Sequence, residues 1–251
     1  MSLLPDYSRQ AQRYDETRSA SPSVLRPLRE ALRGAPGRRL ADIGGGTGNY
    51  ALALKAEGWN PVVVDRSAEM LAHAAAKGLE TVEADAQRLP FADESFDAAT
   101  MISMLHHVED RALALAEARR ILKPGGRLAL KGFTAEDSES LWIVEYFPSS
   151  RPWMDASHPP RAALLAELPG AHLETFEFAD VQDASLAAIS ADPARVIEAA
   201  EAGETSYFER MRRDHREELE AGLARLRADI EAGRAPRHAG TATVLGWAKD
   251  G

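Results

Sequence analysis

Four glycines fall within five positions in Leu40-Ala41-Asp42-Ile43-Gly44-Gly45-Gly46-Thr47-Gly48-Asn49-Tyr50. An apolar run leads into them and a helical pattern leads out, so the backbone can pass close beneath a ligand. The first turn of that helix offers unpaired N–H groups and a partial positive charge, suited to a carboxylate or a phosphate. Asp65 ends the next apolar run, 21 positions after Gly44. An open parallel sheet presents its carboxyl edge to a ligand crevice there, and a carboxylate can accept both hydroxyls of a ribose. Loop and acid together point to a nucleoside-containing ligand. Asp42, two residues before the first glycine, narrows the choice. It would repel a pyrophosphate and suits a cationic α-amino group. The spacing Gly44-x-Gly46-x-Gly48 also departs from the GxGxxG of NAD-binding units.

The elements that must carry these residues alternate. Leu40–Ile43, Pro61–Asp65, Glu80–Ala84, Phe96–Met104 and Arg127–Phe133 read as strands, the second β-branched as a strand buried on both faces should be. Helices are expected over Tyr50–Glu57, Ala68–Lys77 and Arg111–Leu122, the last with Leu113, Leu115, Ala118 and Ile121 on one side. That alternation is the pattern of βαβ units and a parallel sheet. Before it, a helix runs from about Val24 to Arg33. After it, Thr134–Pro160 reads as a loop rich in Trp142, Tyr146, Phe147 and Trp153, then a helix over Pro160–Leu168 and a strand over Ala171–Phe178. Asp192–Gly203 and Ser206–Ile230 are helical, and Gly240–Ala248 closes the chain as a last strand.

Composition excludes several classes. The 251 residues hold 45% hydrophobic and 27% charged side chains, the balance of a globular domain. A net charge of −9 speaks against a nucleic-acid backbone or an anionic membrane as the main partner. Cysteine is absent, which removes disulfides, thiolate metal sites and cysteine nucleophiles and fits a cytoplasmic protein. No signal peptide and no membrane span are expected. The seven histidines show no HxxxH pair or acid cluster at ligand spacing, so no metal is expected.

The chain resembles the class I S-adenosylmethionine-dependent methyltransferases, in the small-molecule branch related to the ubiquinone and menaquinone methyltransferases. The resemblance rests on Asp42–Gly48, on Val64-Asp65-Arg66-Ser67-Ala68-Glu69-Met70-Leu71, and on Glu83-Ala84-Asp85-Ala86 with Leu89-Pro90-Phe91. It continues through Ser95-Phe96-Asp97 to Leu105-His106-His107-Val108-Glu109-Asp110 and Leu122-Lys123-Pro124-Gly125-Gly126-Arg127-Leu128, all in the family's order. Gly45 stands where many members carry Cys or another small residue, a departure expected to be harmless.

That resemblance implies S-adenosyl-L-methionine as cofactor. Gly44, Gly45, Gly46 and Gly48 would cradle its methionine part with Asp42 near the amino group, and Asp65 would hold the ribose. Asp85 and the Ala86 N–H would meet the adenine, which Arg66 and Met70 would flank. The plainer reading of Asp85 is a helix N-cap, its carboxylate accepting from the backbone N–H of Gln87 or Arg88. Ser103, near the end of the fourth strand, would touch the cofactor or simply be a buried strand serine. Tyr14 and Arg18 resemble part of an N-terminal lid, with Arg18 reaching the cofactor carboxylate.

Methyl transfer from a sulfonium needs approach geometry, dryness and, for some acceptors, a base. His106 and His107 lie just past the fourth strand and are the candidate bases, His107 preferred, unless the pair only orders its loop. The expected architecture is α/β, a Rossmann-like doubly wound sheet of about seven strands with a late helical cap. Its parts are an N-terminal lid (1–37), the cofactor-binding core (38–180), the cap (181–237) and the last strand (238–251). The stripe Phe208, Met211, Leu219, Leu223, Leu226 and Ile230 reads as core, with a homodimer seam through the cap helices as the alternative. The expected function is methyl transfer to a small organic acceptor on O, N or C. The alternatives are a nicotinamide-dependent oxidoreductase and a non-catalytic S-adenosylmethionine-binding protein.

Overall fold

The computed structural model describes residues 18–250. Five strands pair in parallel: β1 (Arg39–Ile43), β2 (Asn60–Asp65), β3 (Glu80–Glu83), β4 (Phe96–Ile102) and β5 (Leu122–Gly132). β7 (Thr241–Ala248) lies antiparallel between β5 and β6 (His172–Glu177), giving the order β3-β2-β1-β4-β5-β7-β6. The order reverses between β1 and β4, so the carboxyl ends of these two strands open a crevice. The sheet is the seven-stranded, Rossmann-like one the sequence leads one to expect.

Side-chain alternation along the strands divides the core between the two faces. Leu40, Ala98, Ala129 and Val244 join the apolar cluster on one face, and Ala41, Ile43, Ala99, Leu128, Leu130 and Leu245 the cluster on the other. α1 (Pro22–Ala31) opens with Pro22 in its first turn, where a missing N–H costs nothing, and packs on β5 and β7. α2 (Asn49–Ala56) and α3 (Ala68–Ala76) flank β2, and the Ser67 hydroxyl caps α3 by accepting from the Met70 N–H at 3.2 Å. Asp110 caps α4 (Arg111–Ile121) in the same way through Leu113, at 3.0 Å. Leu113 itself is exposed, a correction to the expected stripe. The buried face of α4 is Ala114, Leu115, Ala118 and Ile121, because the helix turns Leu113 away from the sheet.

The segment after β5 is not the loop expected from its composition. It folds into α5 (Ala135–Glu139), α6 (Ile143–Tyr146) and α7 (Arg151–Ser157) before α8 (Arg161–Glu167). Thr134 and Asp137 form a reciprocal capping box that starts α5. Between β6 and β7 come α9 (Leu186–Ile189), α10 (Pro193–Ala202), α11 (Ser206–Asp214) and α12 (Arg216–Glu231). The expected single helix from Ser206 is broken at His215, whose φ of −141° and ψ of 47° leave the helical region. The break lets both halves pack: Phe208, Met211, Leu219 and Leu226 are buried in the same cluster as Trp142 and Phe147. The stripe is therefore spent on packing inside the chain. Among the described residues no helix is long and apolar enough to cross a membrane.

The tightest contact in this region is Gly222 against Phe147, where an added Cβ would sit 2.4 Å from the ring and 2.6 Å from the Tyr146 carbonyl. Gly222→Ala is expected to lose about 1–3 kcal/mol of stability through overpacking, although alanine is the better helix former by roughly 1 kcal/mol. Denaturant midpoints measure this, and a gain in stability would contradict the packing.

Candidate functional site

The glycine loop leaves β1 in a conformation that L side chains resist. Gly44, Gly46 and Gly48 have φ of +68°, +56° and +76°. The N–H groups of Gly44 and Gly45 both reach the Val64 carbonyl of β2, at 2.7 and 3.2 Å. Asp65, at the end of β2, accepts from the Gly46 N–H at 3.0 Å and the Ser67 N–H at 2.9 Å. Each carboxylate oxygen so engaged keeps a further lone pair for an outside donor. Lys77 braces the far side of the loop, donating to the Thr47 carbonyl at 2.9 Å and to Asn49 Oδ1 at 2.7 Å. An added Cβ at Gly46 would meet nothing within 4 Å, so the crest of the loop is open.

Asp42 lies behind this loop and is 1% exposed. The Thr100 hydroxyl on β4 donates to its Oδ1 at 2.7 Å. Burial, reinforced by the charge of Asp65 and only partly offset by Thr100, pushes its carboxyl up to about 7. An added Cβ at Gly45 would stand 2.4 Å from Asp42 Oδ2. The glycine at this position is therefore matched to the carboxylate.

Asp85, in the turn after β3, accepts from the Gln87 N–H at 2.8 Å and from the Gln87 side chain at 3.1 Å. The bond to the Gln87 N–H is made, but no helix follows it, only a turn; the exposed carboxylate of Asp85 lies beside buried Ala86. Arg66 is exposed and Met70 is buried. Ser103 sits just past β4 with φ of +53°, an unusual value for a serine, and its N–H reaches the Lys131 carbonyl at 2.7 Å. Arg18 is tied to the loop helix through its carbonyl, which accepts from Asn49 Nδ2 at 2.9 Å. Tyr14 lies outside the described residues.

His106 and His107 occupy a single 3-10 turn past β4, ring centres 3.8 Å apart. His107 is placed toward Arg66 and Arg18. Burial, then those two cations, lower its imidazole to about 4. His106 is open to solvent on one side yet crowded by protein on the others. That desolvation, then the charges of His107, His158, Lys131 and Arg18, hold it well below the usual histidine range. Both rings are neutral proton acceptors at physiological pH.

Three residues that sequence reasoning did not single out complete the edge. Lys131, fully buried at the end of β5, donates to Ser103 Oγ at 2.9 Å and pairs with Asp183 at 3.5 Å. Asp183 also accepts from the Tyr50 hydroxyl at 2.5 Å. Burial works to raise the Asp183 carboxyl, but Lys131, Tyr50 and Arg18 outweigh it and keep it below the usual range. The signal for Lys131 was in the sequence: a lone cation closing the apolar run Leu128-Ala129-Leu130. The third, His158, faces His106 from the end of α7, ring centres 6.2 Å apart. Among the described residues no group of three or more His, Asp or Glu side chains could hold a metal ion.

Residues 41–130 match the family described as methyltransferase domain. This stretch is a methyltransferase domain. It is similar to demethylmenaquinone methyltransferases and to an S-adenosylmethionine-dependent methyltransferase of known structure. A demethylmenaquinone methyltransferase of Mycolicibacterium vanbaalenii is 37% identical over 147 residues, covering 57% of this chain and 64% of that one. The chain thus spans less than two thirds of that relative's length. A structure described as a methyltransferase from an antibiotic biosynthesis pathway of Anabaena variabilis has a TM-score of 0.76. At 24% identity over 92% of this chain and 98% of that chain, it is a likeness of fold. A methyltransferase of Thermotoga maritima, described as a possible histamine N-methyltransferase, is 28% identical with a TM-score of 0.56, over 68% of this chain and 84% of that chain.

The site fits the cofactor such a domain takes. The open crest at Gly46 and the buried, proton-holding Asp42 behind it suit a cationic amino-acid end, and Asp65 keeps acceptor capacity for a ribose. Because the folded-state value of Asp42 is raised, the stability of the ligand-free protein from this group is full below about pH 4 and is lost as pH rises through about 7. Asp42→Asn is therefore expected to raise the melting temperature at about pH 8, by the equivalent of up to about 4 kcal/mol, and to leave it unchanged near pH 4. Calorimetric melts at the two pH values decide this. An equal effect at both would contradict the buried-charge account.

Proposed function

We propose that this protein transfers a methyl group from S-adenosylmethionine to a small organic acceptor, with the His106–His107 turn beside the reacting atoms. The observation that carries the reading is the glycine loop closed onto Asp65 with Asp42 buried behind it, at the edge where the strand order reverses. Bound there, S-adenosylmethionine supplies a methyl carbon already activated by its sulfonium charge. Asp42 holds the α-amino group, Asp65 the ribose hydroxyls, and Asp85 with Ala86 the adenine edge. Arg18 serves the carboxylate end, and Ser103 lines the crevice from β4. His106 or His107 takes the proton that an O, N or C nucleophile gives up.

The acceptor is a small molecule rather than a nucleic acid, on the strength of the chain's net charge of −9. The absence of cysteine supports a cytoplasmic site of action. Demethylmenaquinone, the acceptor named for the mycobacterial relative, is the first compound to test, followed by amines such as histamine.

The test is transfer of labelled methyl from S-adenosylmethionine to a short-chain demethylmenaquinone in its reduced form, and to histamine. Transfer to either, with Asp65→Ala raising the KM for cofactor by about ten- to a hundredfold, is the expected result. Unaltered cofactor KM in that variant would remove Asp65 from the site.

A further inference from the structure

A methyl acceptor with an O–H, N–H or C–H group releases one proton per turnover. The imidazoles nearest the crevice hold protons poorly, and a bound acceptor would cover the exposed side of His106, so the proton then needs an outlet on its inner side. Beneath His106 lies a void of about 20 Å³ lined by Leu105, Leu130, Phe133, Thr134, His158 and Thr243, among others. That is room for one water. The 6.2 Å between the ring centres of His106 and His158 is too long for a direct hydrogen bond and suits a single bridging molecule. Thr134 Oγ1 and Thr243 Oγ1 donate to Asp137, at 2.9 and 3.1 Å, so each has a lone pair left for such a water.

His158 is oriented from behind. Ser138 Oγ donates to the Thr134 carbonyl at 3.2 Å, so its 2.9 Å contact with His158 Nδ1 is completed by the ring N–H donating. Nε2 is then the acceptor nitrogen. His158, Pro159 and Leu164 also form the inner wall of a second cavity of about 540 Å³, an open groove between α4 and α7–α8 rimmed by Glu109, Asp155 and Glu167. His158 is thus the partition between the void and solvent.

We propose that His106, a water held in this void and His158 form the path by which the acceptor's proton leaves for the groove. The proposal rests on the methyl-transfer reading above and assigns His158 as a positioning and relay residue. As the acceptor's bond to hydrogen is replaced by its bond to the methyl carbon, the carbon–sulfur electron pair returns to sulfur. The proton passes to His106, through the water to His158 Nε2, and His158 returns to neutrality by releasing a proton to groove solvent. The surroundings of the two rings differ. His106 is faced by His107, Lys131 and Arg18, which disfavour its protonation. At His158 burial also lowers the imidazole, with Arg111 adding to it, while Asp137, the Met154 carbonyl and Asp155 offset part of that lowering.

His158→Asn keeps a polar group near Ser138 and cannot carry a proton, and His158→Gln is a second variant against a folding failure. With the demethylmenaquinone probe, both are expected to lower kcat about tenfold with unchanged KM for cofactor. Added imidazole is expected to restore the rate. A kcat unchanged by either variant, or a loss that imidazole does not relieve, overturns the relay. A second measurement needs no acceptor: magnetisation transfer from bound water to the His106 and His158 ring protons of the wild-type protein with S-adenosylhomocysteine. Transfer to both rings is expected, and transfer to neither overturns the relay whatever the acceptor. If the wild-type protein binds S-adenosylhomocysteine yet methylates neither probe, the acceptor assignment fails and the water measurement still decides the path.

Discussion

Two carboxylates of like charge stand on either side of one glycine loop, and the buried one cannot ionise comfortably. Asp42 is shut away beneath the loop with the Thr100 hydroxyl donating to it, while Asp65 is already engaged by two backbone N–H groups. The result is a carboxyl raised to about 7, a cost the fold carries until a cation arrives. A ligand with an ammonium group next to a nucleoside meets both demands at once. A dinucleotide would bring a pyrophosphate to the same place and add to the repulsion.

The rest of the molecule can be understood as support for that arrangement. Parallel pairing of β1 with β2 and β4 sets Asp42 beside Thr100 and brings Val64 within reach of the loop. Lys77 holds the loop from α3, and the Lys131–Asp183–Tyr50 contacts join β5, the segment before α9 and the loop helix. Burying that ion pair is no source of net stability. Its effect is to fix Ser103 and Tyr50 at the crevice. Function-bearing residues thus come from elements far apart in sequence, held by a sheet edge that the strand order leaves open.

The order of strands and helices was legible because alternating apolar runs and helical stripes are set by local chemistry. So were the loop, Asp42 and Asp65, which sit within one βαβ unit. The three short helices after β5 were hidden by aromatic and proline content, although Thr134 with Asp137 three positions on was a readable start signal. The break at His215 was not readable, since the apolar spacing runs on through it and only packing of both halves against Phe147 and its neighbours requires it. His158 gave no signal at all. Its place opposite His106 depends on how α7 folds back over β5, a tertiary fact.

The central claim is that buried Asp42, protonated in the ligand-free protein, gives up its proton to hold a cationic amino-acid end. Calorimetric titration with S-adenosylhomocysteine at about pH 6, repeated in buffers of different ionisation enthalpy, tests it directly. The account predicts binding with release of close to one proton per site, lost in Asp42→Asn. No heat of binding, or binding with no release of protons, would contradict it.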